Sequence, residues 1–425
     1  MVPRVLLIAI TLFGLAERLH IASFTNGHAP NSAARLVGDE RGYDTLALGL
    51  LHGQGFNWPN RVPFYPAFLA VEHWAVHGYD PMLYIGAVVG TLVVPGTYLL
   101  TRRLAGTAAG LIAAAAVAFS PPLVDTSATF LSEVLFVPLV PFLALALVVA
   151  IERGTAKWMA VAGAVLGLSL LVRLTFLAAV IVVPVALLIL FGRRRGLRLG
   201  ATYALACVLV VVPWTVHNAI KWHAFVPLQT SNAILWQGSP EYFHLVRDQN
   251  RPYLYVWEKV LYADNSRERD PSWIDGDRYW TRRALRSIAD EPLLYMRYAA
   301  EKTITYWIGD PDADWGGSHP FDMTVFREAG YSRTDKLEIL VFRALPLLVL
   351  PAIALLWRRR RDFAAIYTLL AAATLLAAAT HAEIRLSIPL QSLLYVVLAS
   401  AIVETAKRIR VRRAARIGTS PAPSI

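Results

Sequence analysis

The segment from Gly38 to Pro66 reads GDERGYDTLALGLLHGQGFNWPNRVPFYP and lies between two apolar stretches. It opens with the acidic pair Asp39 and Glu40, and Tyr43 and Ala47 follow Asp39 at four-residue intervals. Because residues four positions apart share one face of a helix, this spacing predicts a short helix with Asp39 at or near its N-cap. We interpret the segment as the active-site loop of a membrane enzyme; the alternative is that Asp39 only caps the helix.

The end of the same segment places an arginine beside apolar residues. Arg61 and Tyr65 lead into the apolar run Ala67 to Val71. An arginine near lipid depth is costly unless an anionic group faces it. We therefore expect Arg61 to have an anionic partner.

The composition indicates a polytopic membrane protein. The chain has 425 residues, of which 56% are hydrophobic and 17% charged, with a mean hydropathy of +0.47; these values exclude a soluble protein. The net charge is +11, but the basic residues form short clusters between apolar stretches, a pattern typical of membrane loops rather than of nucleic-acid binding. The single cysteine, Cys207, excludes an internal disulfide and a thiolate metal cluster.

Ten apolar stretches have roughly the length that crosses a bilayer, so we predict an all-α protein of about ten spans. The first stretch is interpreted as an uncleaved helix, because Glu17 to His20 follow it without a cleavage signal. The predicted spans are centred on Ile10, Val89, Ala115, Phe142, Val165, Val183, Val208, Val349, Ala371 and Val396.

The arginine clusters predict the orientation of these spans. With a cytoplasmic N-terminus and an even number of spans, both termini are cytoplasmic and the clusters fall in cytoplasmic turns, as the positive-inside rule requires. The clusters are Arg102-Arg103, Glu152 to Lys157, Arg193 to Arg198, Arg358 to Arg361 and Lys407 to Arg416. The same alternation places the candidate polar residues together at the outer ends of the spans. They are Asp39, Arg61, Glu133, Arg173, His217-Asn218 and His381 to Arg385.

The alternation also predicts the domain organisation. Residues 1–220 are predicted to form an N-terminal transmembrane module, whose first outer loop, 25–80, is the catalytic one. Residues 221–336 are predicted to form a small, mainly helical extracytoplasmic domain. Residues 337–406 are the predicted C-terminal transmembrane helices, and residues 407–425 are a basic cytoplasmic tail. Asp277 to Ile288 and Leu293 to Trp307 have the pattern of amphipathic helices in this extracytoplasmic domain. Its many aromatic residues either stack on sugars or, as we favour, serve as core and membrane-interface anchors.

Several segments resemble one enzyme class. The acidic pair, Tyr43, the Gly-x-Gly-Phe sequence and Arg-x-Pro-x-Tyr-Pro resemble the first outer loop of the polyprenyl-phosphate-sugar glycosyltransferases of the GT-C class. Within that class, the bacterial branch of the protein mannosyltransferase and aminoarabinose transferase family is the most similar. Other resembling segments are FLSEVLF (130–136), GLSLLVRLTF (167–176), VVPWTVHNAI (211–220) and HAEIRLSIPL (381–390).

The resemblance implies a GT-C-type helix bundle in the cytoplasmic membrane. It also implies an inverting enzyme that moves a sugar from a polyprenyl-phosphate donor to a glycan, lipid or protein acceptor at the outer face. Asp39 would be the base that removes the acceptor proton, the role that the resemblance gives to the first acid of the pair. Glu40 is a second catalytic candidate, as a helper or metal ligand, or else it faces water.

Glu133 is the third catalytic candidate, because it opens the fourth span, where an unpaired carboxylate is costly; the alternative is an ion pair with an arginine. Arg61, Arg173 and Arg385 depart from the positive-inside pattern. We predict that these arginines bind the donor phosphate through bidentate contacts. Their alternative partners are Glu133 and Glu383.

The remaining site candidates are polar or aromatic residues at the same ends of the spans. The predicted substrate-binding residues are Tyr43, Tyr65, His217, Asn218, His381 and Glu383. No cofactor is required by the predicted chemistry. A divalent cation held by Asp39, Glu133 and His217 is left open, as some members of the family bind one. The sequence departs from the family pattern at two positions. Asn60 stands in place of a glutamate, which weakens the metal interpretation. Leu386 stands in place of a tyrosine, which weakens the family support for Arg385.

Two other functions also fit a membrane protein with arginines at membrane depth. One is a transporter or flippase of a lipid-linked anion, which typically shows inverted repeats and polar residues near the midplane. The other is a non-catalytic subunit for envelope assembly that binds through its extracytoplasmic domain. The sequence has no internal repeat and its polar candidates share one face, so it favours the glycosyltransferase.

Overall fold

A computed structural model describes residues 2–249, 256–263, 266, 268–308 and 333–417. These residues form helices and turns without any strand, which confirms the predicted all-α class. Helices α1 to α6 are Val2–His28, Asp39–Leu51, Phe64–Ala75, Tyr79–Thr91, Val93–Ala105 and Thr107–Ala118. Helices α7 to α11 are Pro121–Asp125, Glu133–Arg153, Ala156–Leu170, Ala179–Phe191 and Arg193–Trp222.

The polar part of the chain, residues 223–308, is called the head region here. Its helices α12 to α15 are Ile234–Gln237, Pro240–Phe243, Ile274–Asp290 and Pro292–Ile308. Helices α16 to α18, which follow it, are Arg333–Leu356, Ala364–Ala379 and Gln391–Ile417. A 3-10 turn, Ile384–Leu390, leads from α17 into α18.

Six helices among the described residues are long and apolar enough to cross a membrane. They are Val2–His28, Tyr79–Ala105, Glu133–Arg153, Leu174–Phe191, Arg193–Trp222 and Ile384–Arg413. Thr107–Ala118 and Pro121–Ala128 make a seventh if they are one span bent by 66°. The protein is thus polytopic, and each predicted centre lies in a helix; the number of ten spans stays a prediction, because α9 and α17 are shorter apolar helices.

The arginine-rich turns lie against one another at one end of the helix bundle. Arg103 pairs with Glu152. The Arg195 guanidinium donates to the Gly154 carbonyl at 3.0 Å, and Arg359 donates to the Leu104 carbonyl at 2.6 Å. This grouping leaves the opposite ends of the same helices for the candidate polar residues.

The head region has a small aromatic core of its own. Trp236, Tyr242, Val256 and Trp280 are buried together in it. The two predicted amphipathic helices correspond to α14 and α15. The aromatic residues in this core are therefore packing residues, as we expected. Residues 309–332 and 418–425, which belong to the predicted extracytoplasmic domain and tail, lie outside the described residues.

Candidate active site

Asp39 is the first residue of α2. The residue before it, Gly38, is the N-cap and has a φ of +52°, a conformation that favours glycine. The Asp39 carboxylate accepts a hydrogen bond from Nη2 of Arg61 at 2.6 Å, and its side chain is 49% exposed. The carboxylate is therefore turned toward an arginine and an open cavity, with Gly38 in the capping position.

Glu40 has a different environment from its neighbour. Its carboxylate accepts hydrogen bonds from the backbone N–H groups of Val37 and Phe130, each at 3.1 Å. Burial raises the pKa of Glu40, and these two amide bonds act in the opposite direction. The contact with Phe130 joins the start of α2 to the loop before α8, so we leave Glu40 out of the proposed chemistry.

Five charged side chains alternate in sign across the end of the bundle. Arg61 pairs with Asp39, and Nη2 of Arg385 lies 3.9 Å from Oδ2 of the same carboxylate. Nε of Arg385 donates to Glu133 at 2.9 Å, and Nη1 of Arg173 lies 2.8 Å from the other Glu133 oxygen. Residues from four distant parts of the sequence therefore form one charged network.

Glu133 is the buried anion of this network. It is 1% exposed and is the first residue of α8, where the helix dipole favours a negative charge. Arg173 also donates to Oγ of Ser132 at 2.9 Å, and the Tyr43 hydroxyl donates to the same oxygen at 3.3 Å. A carboxylate buried with two guanidinium groups is compensated electrostatically, so the ion-pair alternative for Glu133 is the arrangement observed.

The network faces a cavity of about 720 Å³. Its charged lining residues are Asp39, Arg61, Arg173, His381, Glu383 and Arg385. Its apolar lining residues include Leu174, Ile234, Ala373, Leu376, Ala377 and Leu386. A cavity with cations and an apolar wall suits a ligand that carries both an anionic group and a hydrocarbon chain.

Four of the predicted substrate-binding residues lie beside the network: two tyrosines, and a histidine that is hydrogen-bonded to a glutamate. Tyr43 lines the cavity with the Arg61 guanidinium 5.1 Å from its ring centre, whereas Tyr65 is buried behind it in an edge-to-face contact. Nε2 of His381 lies 2.6 Å from Oε1 of Glu383. Burial alone raises the pKa of Glu383, but the His381 hydrogen bond and the neighbouring Arg385 lower it overall.

His217 and Asn218 lie outside the cavity lining. The His217 ring stacks on Trp214 with ring centres 4.9 Å apart. Nδ2 of Asn218 donates to the carbonyls of Val226 and Leu228, at 3.0 and 3.1 Å. Asn218 thus fixes the chain where α11 leads into the head region, and we leave both residues out of the proposed substrate site.

The residues predicted to hold a divalent cation do not form a metal site in this structure. Arg385 lies between Asp39 and Glu133, and His217 is packed elsewhere. Within the described ranges, no group of three or more His, Cys, Asp or Glu is arranged to hold a metal ion. We therefore derive no step through a metal.

The cavity also contains head-region residues that the sequence analysis missed. They are Gln229, Asn232, Gln237 and Tyr262. The Tyr262 hydroxyl donates to Oδ1 of Asn232 at 3.2 Å. These residues lie in a stretch without helical or strand periodicity, so no signal in the sequence placed them beside Asp39.

Comparison with known proteins finds one family model and several solved structures that this chain resembles. Residues 59–217 match the family model described as dolichyl-phosphate-mannose-protein mannosyltransferase. One similar solved structure is the archaeal oligosaccharyltransferase AglB from Archaeoglobus fulgidus in complex with an inhibitory peptide and a dolichol-phosphate. The match covers 99% of this chain and 52% of the AglB chain, with a TM-score of 0.54 and 15% sequence identity. The fold is that of the GT-C glycosyltransferases. The resemblance to this class predicted from the sequence is thereby confirmed.

Two further GT-C structures give the range of the likeness. The Archaeoglobus fulgidus oligosaccharyltransferase tethered with an acceptor peptide has a TM-score of 0.56 and 17% identity, over 99% of this chain and 52% of that one. ArnT from Cupriavidus metallidurans bound to undecaprenyl phosphate has a TM-score of 0.43 and 14% identity. That match covers 95% of this chain and 79% of the ArnT chain. The chain thus spans about half the length of these oligosaccharyltransferases. No curated protein matches it.

Proposed function

We propose that this protein is an inverting glycosyltransferase that moves a sugar from a polyprenyl-phosphate donor to an acceptor at the outer face of the cytoplasmic membrane. The observation that carries the proposal is the convergence of Asp39 with Arg61, Arg173 and Arg385 on one cavity that has an apolar wall. Its support from the comparisons is the GT-C fold and the family model that matches residues 59–217.

Asp39 is the catalytic base in this proposal. Its half-exposed carboxylate accepts the proton of the acceptor hydroxyl or amine while the acceptor atom attacks the anomeric carbon. The new bond forms at that carbon as its bond to the phosphate oxygen breaks, and the electron pair leaves with polyprenyl phosphate. Arg61 orients the carboxylate through the 2.6 Å hydrogen bond. Attack from the side opposite the leaving phosphate inverts the configuration.

The arginines stabilise the leaving group. The donor phosphate is a diester with one negative charge, and the departing monophosphate gains a second. Cations fixed in place before the reaction favour this increase in charge. Arg385 is the best placed of the three, because its side chain is 30% exposed whereas those of Arg61 and Arg173 are 15% exposed.

The charge distribution supports the proposed location of the site. The arginine-rich turns lie together at the end opposite the cavity, and such turns are enriched on the cytoplasmic side. The cavity then opens at the outer face, and the apolar residues from α17 face the donor hydrocarbon chain.

The proposal is tested with washed membranes that contain or lack the protein. Polyprenyl-phosphate donors carrying radiolabelled sugars are added, and label is followed into glycan, lipid and protein fractions. We expect label to move to one of these fractions only when the protein is present. Movement of intact donor across sealed vesicles without any transfer of label would instead support the transporter.

A further inference from the structure

One wall of the cavity consists of uncharged polar side chains. Gln229, Asn232, Gln237 and Tyr262, all from the head region, line the same cavity as Asp39. Amides and phenols donate and accept hydrogen bonds without carrying charge. This wall therefore differs chemically from the arginine network and from the apolar residues of α17.

Gln237 is the most informative residue of this wall. It is 3% exposed and lines the cavity. Within the part of the chain that the structure describes, its side-chain amide makes no hydrogen bond to protein. The amide nitrogen and oxygen reach the cavity and are not enclosed by protein, so they can hydrogen-bond to a bound molecule. The cavity is the place from which a ligand would supply the missing partner.

The backbone that carries Gln237 is fixed at several points. The Thr230 N–H donates to the Pro59 carbonyl at 2.9 Å, beside Arg61. The Ser231 N–H donates to Asp277 at 2.7 Å. Gly238 packs so closely on the Thr380 carbonyl that a Cβ would lie 2.3 Å from its oxygen.

Two residues of the same segment have unfavourable backbone conformations. Asn232 and Ala233 have φ values of +53° and +60°. Left-handed conformations of residues other than glycine persist where the surrounding structure enforces them, and they cluster at functional sites. The segment is thus held in a defined position, so its side chains are preorganised to bind.

The charges of the cavity limit which ligand this wall accepts. The Asp39 carboxylate is paired with Arg61, and Glu383 is bonded to His381. A sugar with a protonated amine would require a carboxylate without a cation beside it. Hydroxyl groups instead match amides, which donate to one oxygen and accept from another.

We propose that residues 229–237 and Tyr262 bind the glycosyl group of the donor, and that Gln237 makes the enzyme selective for an uncharged, polyhydroxylated sugar. This inference rests on the proposed function, because it assigns part of the same cavity to the donor. It separates the cavity into three parts: arginines for the phosphate, apolar residues for the hydrocarbon chain and the head-region wall for the sugar.

Binding of three lipids to the purified full-length protein tests this assignment. The lipids are a polyprenyl phosphate without sugar, the same lipid carrying a neutral hexose, and the matched donor in which an amine replaces one hydroxyl. The parent protein is expected to bind the neutral donor more tightly than the amino donor. Gln237→Ala should weaken binding of the neutral donor roughly five- to tenfold and leave binding of the bare polyprenyl phosphate unchanged.

Two further variants sharpen the test. Gln237→Glu adds a carboxylate and should shift the preference toward the amino donor. Gln249→Ala removes an exposed glutamine from the same head region and should change none of the three affinities. An equal loss for the bare phosphate and the neutral donor in Gln237→Ala, no loss at all, or a parent that prefers the amino donor would overturn the assignment. If the parent bound none of the three lipids, the proposed function itself would fail, and this inference with it.

Discussion

Arg385 connects the two acids of the site at the scale of single residues. It contacts Glu133 through Nε and approaches Asp39 through Nη2. Arg385→Ala should weaken binding of the polyprenyl-phosphate donor by about one to two orders of magnitude, since a charged hydrogen bond is worth roughly 1.5–3 kcal/mol. Arg385→Lys should restore part of this, because it keeps the charge and loses the planar fork.

Donor titration of the two purified variants measures this effect. Arg360→Ala, in an arginine-rich turn at the other end of the bundle, is the matched control and should bind the donor like the parent. Parental donor affinity in Arg385→Ala would show that the guanidinium only compensates Glu133.

The sequence indicated some of these residues better than others. Asp39 and the three arginines were predictable, because charge alternation along the chain places them at the same ends of the spans. The sequence made Asp39 the base and left the role of Glu40 open, since adjacent residues at a helix start point in different directions that only the fold determines. His217 and Asn218 were also at the expected end of a span, yet α11 directs them toward Trp214 and the segment 226–228.

At the scale of elements, α15 holds the turn that carries Arg385. The Tyr295 hydroxyl donates a hydrogen bond to the Ala379 carbonyl at 2.8 Å. Nζ of Lys302 donates to the Thr380 carbonyl at 2.6 Å. The Tyr306 hydroxyl donates to the Leu386 carbonyl at 3.2 Å. Their spacing of seven and four residues puts the three donors on one face of the helix. The amphipathic pattern predicted this helix, but its partner could not be found from the sequence because the contact spans about eighty positions.

Lys302 gives this contact a dependence on pH. Burial lowers the pKa of Lys302 from 10.5 to about 7. Between these two values the unfolded chain binds more protons at this position than the folded chain does, so raising the pH stabilises the fold, by at most about 1.4 kcal/mol per pH unit. From pH 7 to 9, the unfolding temperature of the parent should therefore rise relative to that of Lys302→Met.

Thermal unfolding of the purified proteins at several pH values checks this expectation. Lys157→Met removes an exposed lysine and should keep the pH dependence of the parent. Identical pH dependence in the parent and in Lys302→Met would show that the amine keeps its ordinary pKa in the fold.

At the scale of the whole molecule, the predicted fold class is confirmed, and the number of ten spans stays a prediction. The apolar composition and the alternating arginines indicated a polytopic helical bundle. The predicted spans at Val165 and Ala371 correspond to the short helices α9 and α17, and the span at Ala115 belongs to the pair bent before Pro121. Hydrophobic stretches indicate burial in lipid or protein, but they do not reveal a bend or a short helix inside a bundle.

The proposed sidedness has a direct test in membrane vesicles. In a Cys207→Ser background, a single cysteine is introduced by Gln249→Cys in the head region or by Arg194→Cys in an arginine-rich turn; both positions are exposed. An impermeant thiol reagent should label the Gln249→Cys variant only in right-side-out vesicles and the Arg194→Cys variant only in inverted vesicles. Labelling of both variants in the same vesicles would contradict the proposed orientation.

The most direct test of the proposed chemistry compares sugar transfer with donor binding in Asp39→Asn. Asparagine keeps the volume of the side chain and removes its basicity. We expect transfer of labelled sugar in washed membranes to be abolished, while the purified variant binds the polyprenyl-phosphate donor nearly as tightly as the parent. Substantial transfer by Asp39→Asn would contradict the assignment of Asp39 as the catalytic base.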